Sequence, residues 1–116
     1  MIIYHYTLGF PKGFNPDVGT IPLKYTRHAV EASQNDKYGP IKLPGALDTG
    51  AAKCIEVYLD GGRVQKLVYR MPQLGPCDLV LVVVPDGGAF KVLTVWKNLK
   101  SDQHETLQVG KYTRAA

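Results

Sequence analysis

From residue 53 to residue 96 the chain reads KCIEVYLDGGRVQKLVYRMPQLGPCDLVLVVVPDGGAFKVLTVW, and the period of its apolar residues decides the fold. Between Lys53 and Leu59 the period is two, which puts Ile55, Val57 and Leu59 on one face of a strand. DGG at 60–62 is a turn, and Arg63 to Met71 returns as the hairpin partner. Asp78 to Val84 is apolar on both faces, the pattern of a central strand, and PDGG at 85–88 turns it into Ala89 to Trp96. Neither glycine turn has the spacing of a phosphate-binding loop or a helix behind it, so both read as hairpin turns. The expectation is a four-stranded antiparallel meander.

Upstream, one helix signal stands out. Thr26 is a natural N-cap for RHAVEASQNDKY, with Gly39 as the stop and Pro40 behind it, which predicts a helix from Arg27 to about Tyr38. Ala29, Ala32 and Ser33 give it a narrow small-residue face suited to close approach on a sheet. Ile2 to Tyr6 reads as a first strand. The next stretch, TLGFPKGFNPDVGT, holds three glycines and two prolines and reads as a long loop. The predicted fold class is therefore α+β: one main helix packed on a four-stranded antiparallel meander sheet, in a single domain over residues 1–116, with strand and loop 1–20 as an extension.

Composition narrows the function. The 116 residues are 45% apolar, enough for one modest core. The longest apolar run, Leu79 to Pro85, is far too short for a bilayer, so no membrane partner is expected. MIIYHY lacks the features of a signal peptide, which predicts a cytoplasmic protein. Cys54 and Cys77 stand 23 positions apart with no CxxC or histidine-rich spacing; they read as buried thiols, and neither a metal nor another cofactor is implied. A net charge of +4 favours an anionic partner such as RNA, although the basic residues are dispersed in small groups that only folding can assemble.

Three stretches carry a family resemblance. KYTRHAVEASQNDKYG, the strand ending VYR at 68–70, and TVWKN…DQHETL…KY together resemble small phage and bacterial proteins of the RelE-like (barnase-EndoU-colicin-RelE) ribonuclease toxin group, over residues 21 to 112, about four fifths of the chain. The resemblance implies a helical segment before a curved antiparallel sheet that binds and cuts RNA on its concave face. RNA or the ribosome would then be the partner, and the host cytoplasm the place of action if the gene is carried by a phage.

RNA cleavage without a metal needs a base for the 2′-hydroxyl, an acid for the leaving 5′-oxygen and a cation for the phosphorane charge. His28, His104 and Arg70 are the candidates for these roles. Lys66 and Lys100 would hold phosphates, Trp96 and Tyr112 would stack unpaired bases, as would Tyr25 and Tyr69, and Asn98 and Thr106 would read base edges. Each has a plainer alternative. His28, just after an N-cap, fits a surface or helix-packing histidine; His104 fits an ordinary polar loop residue. Asp102 with Glu105 fits a capped turn. Arg70 and Lys66 form either a basic stripe or a solvated face, and Trp96 fits a core anchor at the sheet end.

Two other readings stand beside the ribonuclease. An inactive relative would bind and inhibit a host protein or nucleic acid, using the sheet face left open by the helix or the 7–20 loop. A self-assembling module would pair through the exposed strand Ile2 to Tyr6.

Overall fold

A computed structural model of the chain describes residues 1–102 and 109–115. In chain order it comprises β1 (Ile2–His5), β2 (Thr20–Tyr25), α1 (Arg27–Gln34), β3 (Ala46–Asp48), β4 (Lys53–Asp60), β5 (Arg63–Met71), β6 (Cys77–Asp86) and β7 (Ala89–Leu99), with short 3-10 turns at Tyr6–Leu8 and Val109–Lys111. The strands form one seven-stranded sheet in the order β1-β4-β5-β6-β7-β2-β3. All neighbouring pairs are antiparallel except β2 and β7, which run parallel with Leu23 opposite Phe90 and Tyr25 opposite Val92.

This corrects the expected four-stranded antiparallel meander with one main helix. The sheet is larger and mixed, and α1 is only eight residues long, ending at Gln34 well before Tyr38. β4 to β7 do pair in succession, but three further strands extend that set at both edges. β1 is the strand expected at Ile2 to Tyr6; of the two strands not expected, β2 does alternate, with Ile21, Leu23 and Tyr25 at every second position, but Pro22 stands in the middle of that pattern. Proline in β2 argues against a strand because it has no N–H for the ladder. Here Pro22 sits at the hand-over point, where β2 stops pairing β3 and starts pairing β7; the next donor, the Leu23 N–H, reaches the Gly45 carbonyl at 2.9 Å. β3 is three residues long inside KLPGALDTG, too short to show a period.

The hairpin turns are as the sequence requires. Gly61 and Gly62 have φ of 57° and 77°, and Gly87 and Gly88 have φ of 49° and 77°, the left-handed pair that a two-residue turn matching strand twist demands. Register along the β4–β5 hairpin is less regular. Asp60 faces Arg63 and Leu59 faces Val64, but Tyr58 faces Lys66, so Gln65 is an extra residue in β5. A second shift, between Cys54 and Glu56, places the extra residue Ile55 in β4 and restores the register at Lys53 opposite Arg70. Ile55 thereby leaves the face of Val57 and Leu59 and joins Val68 and Val80 in a small cluster on the opposite side.

The main core lies on the side covered by α1. Val57, Leu67, Tyr69, Leu79, Leu81, Val83 and Val92 pack there with Ala29 of the helix and Leu47 of β3. Ala29 and Ser33 are buried, as their spacing predicts. The Thr26 side chain caps the helix by accepting from the Ala29 N–H at 3.1 Å and also donates to the Leu93 carbonyl at 3.2 Å, which fixes the helix start to β7. Tyr69, 1% exposed, donates to the Pro16 carbonyl at 2.7 Å and so pins the 7–20 loop over this core. No helix among the described residues is long and apolar enough to cross a membrane.

Candidate functional site

The second face of the sheet carries the chemistry. Strand alternation sends Lys66, Val68 and Arg70 of β5, Asp78 and Val80 of β6, and Trp96 and Asn98 of β7 to the side away from α1. Two polar clusters flank the Ile55–Val68–Val80 patch, with Trp96 half-buried against it.

At one end, Arg70 is 7% exposed and its guanidinium donates from Nε to Asp78 Oδ2 at 2.8 Å, from one terminal nitrogen to the Leu99 carbonyl at 2.8 Å, and from the other to the Asp102 carbonyl. Asp78 also accepts from Lys100 Nζ at 2.7 Å, and Asn98 donates to the Asp102 carbonyl at 3.0 Å. Burial by itself would raise the Asp78 carboxyl pKa. Hydrogen bonds from Lys100, Arg70 and the Gln73 N–H, with the Lys100 charge, outweigh it and hold the group below the ordinary carboxylate range. Arg70, Asn98 and Lys100 thus meet at one cluster, and what Arg70 and Asn98 hold there is the turn after β7.

At the other end, Glu56 accepts from both Tyr58 (2.9 Å) and Tyr112 (2.8 Å), with Lys111 Nζ at 4.0 Å. Burial, then the Glu56 carboxylate, push the Tyr58 phenol up to about 12 and raise that of Tyr112 as well. His5, 2% exposed, packs its ring 4.7 Å from both Tyr6 and Tyr112, and its Nδ1 accepts from the Thr7 N–H at 3.2 Å. The C-terminal segment lies along β1, where the Thr113 N–H reaches the Ile3 carbonyl at 2.7 Å.

Between and around these clusters, lysine ammonium groups sit over tyrosine rings. Lys53 Nζ is 3.7 Å from the Tyr6 centroid, Lys66 Nζ is 4.1 Å from that of Tyr58, and Lys111 Nζ is 5.0 Å from that of Tyr112. Folding makes the first two pairs, across 47 and 8 positions of sequence, whereas Lys111 and Tyr112 are chain neighbours. Each ring keeps its ammonium by the attraction of a cation for the π face.

Of the residues picked from the sequence, Arg70, Lys66, Trp96, Asn98, Lys100 and Tyr112 share this face. His28 does not: it is exposed on α1, across the sheet. Tyr25 and Tyr69 also belong to the helix side, with Tyr25 donating to the Pro44 carbonyl. His104 and Thr106 lie outside the described residues. Sequence reasoning missed His5, Tyr6, Lys53, Glu56 and Tyr58. Period-two alternation puts Glu56 and Tyr58 on one face, but the edge pairing of β1 with β4, which brings His5 opposite Glu56, has no local signature. Among the described residues no group of three or more His, Cys, Asp or Glu could hold a metal ion. No family model, curated protein or solved structure matches the chain.

Proposed function

We propose that this is an RNA-directed protein that takes up unpaired RNA on the sheet face away from α1. The observation that supports the reading is the interleaving of cations and aromatic rings there: Lys53 on Tyr6, Lys66 on Tyr58, Lys111 on Tyr112, and Trp96 against the Ile55–Val68–Val80 patch. Single-stranded nucleic acid needs both parts. Phosphates bind ammonium groups with release of counterions, and unpaired bases stack on flat side chains whatever their sequence. Duplex RNA offers no free base faces to such a surface.

The reading is one of binding first. Arg70, the cation assigned to a phosphorane, already donates to a carboxylate and two carbonyls, and His28 is across the sheet from it. A metal-independent cutting step would therefore rest on His104. A toxin-like action in a host cytoplasm follows from either binding or cutting, through occupied or broken RNA. The test is a fluorescence titration of a labelled unstructured RNA oligomer across a salt series. Affinity is expected to fall steeply with salt. The Lys53→Ala, Lys66→Ala, Lys111→Ala triple variant is expected to flatten the slope by about two units, at roughly 0.7 for each phosphate left without its ammonium group. A salt-independent affinity, or no binding at low salt, removes RNA as the ligand.

A further inference from the structure

On the helix side, at the sheet end where β6 begins and β7 finishes, lies an open groove of about 460 Å³. Leu79 and Ile41 line it, Leu74, Leu99 and Tyr38 also border it, and Lys42 and Lys97 supply its cations. Seven large apolar side chains among the described residues are exposed, and three of them are here: Leu74 (fully exposed), Tyr38 (41%) and Leu99 (37%). Single exposed leucines are commonplace, but a cluster around a concavity is not.

Leu74 is also held out by a braced loop. It stands between Pro72 and Pro76 in the β5–β6 connection. Gly75 takes φ 91° beside it, the Lys100 N–H donates to the Pro76 carbonyl at 2.9 Å, and Lys100 Nζ donates to the Gln73 carbonyl at 2.6 Å. The prolines and these bonds restrict the loop before any partner arrives, which lowers the ordering cost of using Leu74 as an anchor.

We propose that the groove is a docking site for an acidic protein segment that places an apolar side chain against Leu79 and Ile41 and packs on Leu74. Charge selects this occupant. Among the described residues Lys42 has no ion pair, and Lys97 Nζ reaches only the Tyr38 carbonyl, at 3.4 Å. Asp78, at the groove edge, is already matched by Arg70 and Lys100, and Asp36 accepts from the Tyr38 and Lys97 backbone N–H groups. The groove therefore presents cations over an aliphatic floor. A two-fold pairing of this chain groove to groove would set Lys42 and Lys97 against their own counterparts, a like-charge contact that disfavours that form of self-docking. RNA would find one ring, Tyr38, among aliphatic side chains.

The site is independent of the RNA reading, being on the other face of the sheet. The experiment pans a random phage-displayed peptide library on the intact protein, with counter-selection on Leu74→Glu, and measures synthetic versions of the enriched peptides by calorimetry. Leu74 is fully exposed, so the substitution leaves the core intact, which thermal melting verifies. Enriched peptides are expected to combine Asp or Glu with a large apolar residue, to weaken by about tenfold or more on Leu74→Glu, since burying one leucine side chain is worth about that much, and to weaken also on Lys42→Glu, which turns an attraction for the acidic residue into a repulsion. RNA affinity should stay within about twofold in Leu74→Glu. The proposal is overturned if nothing is enriched, if the peptides lack acidic bias, or if neither substitution weakens them. It is overturned equally if Leu74→Glu abolishes a concentration-dependent dimer, which makes the occupant a second copy, or abolishes RNA binding.

Discussion

Replacing Asp78 by Ala tests whether the polar cluster after β7 is a structural clasp. The substitution removes the acceptor of the Arg70 Nε bond at 2.8 Å and of the Lys100 Nζ bond at 2.7 Å. The two bonds differ in weight. Lys100 has a side chain 43% exposed, and a pair with one solvated partner is worth about 1 kcal/mol or less. Arg70 has a side chain 8% exposed, and leaving a buried charged donor without its acceptor costs about 1.5–3 kcal/mol. Because Arg70 keeps the Leu99 and Asp102 carbonyls, the total should stay near the lower end of what breaking a buried ion pair costs, about 2–4 kcal/mol. For a chain of this length that is a fall of roughly 8–16 °C in Tm at about 4 °C per kcal/mol. Lys100→Ala should cost no more than about 4 °C by the same conversion. The carboxyl is depressed in the folded state, so its contribution is complete above the unfolded value near 4 and is lost as pH falls through the lower folded value. The Tm gap between wild type and Asp78→Ala should accordingly narrow in acid. Melting followed by circular dichroism between pH 7 and pH 2 decides it. A Tm drop under about 3 °C at pH 7, or a Lys100→Ala drop as large as that of Asp78→Ala, refutes the clasp.

Leu47→Ala should destabilise by about 2–5 kcal/mol in a denaturant melt, because Leu47 is fully buried and only the docked edge strand β3 buries it; a near-neutral result would detach β3 from the sheet. Absorbance titration of the tyrosines should show Tyr25 and Tyr58 ionising at about 12, with Tyr69 and Tyr112 also raised. Raised phenol values give stability that is full below the unfolded value near 10 and lost above it, so the protein should unfold in alkali as these groups ionise. Seven tyrosines titrating together near 10 in a still folded protein would contradict the burial that raises them. Expression of His104→Ala in a bacterial host, with growth and RNA integrity followed together, should abolish any RNA cleavage seen with wild type while RNA binding survives; unchanged cutting would take His104 out of the chemistry.

Whatever depends on near neighbours can be read from the chain alone. The Gly61–Gly62 and Gly87–Gly88 turns need positive φ at both positions, and Thr26 caps a helix that buries Ala29 and Ser33; those constraints act over a few residues and are legible in them. Long-range pairing settles the remainder. β2 gains its ladder from β7, almost seventy residues on, so a short segment whose Ile21, Leu23 and Tyr25 alternate around a proline becomes a strand and turns a meander into a mixed sheet. The extra residues Gln65 and Ile55 shift the hairpin register between them, and this sets Lys66 over Tyr58 where a regular hairpin would put Gln65. Arg70 was visible in the sequence as a cation, but its partners come from β6 and from the turn after β7, and only their meeting makes it a clasp. Side-chain identity is written locally; a partner reached across the sheet depends on register and strand order, which no short stretch of chain contains.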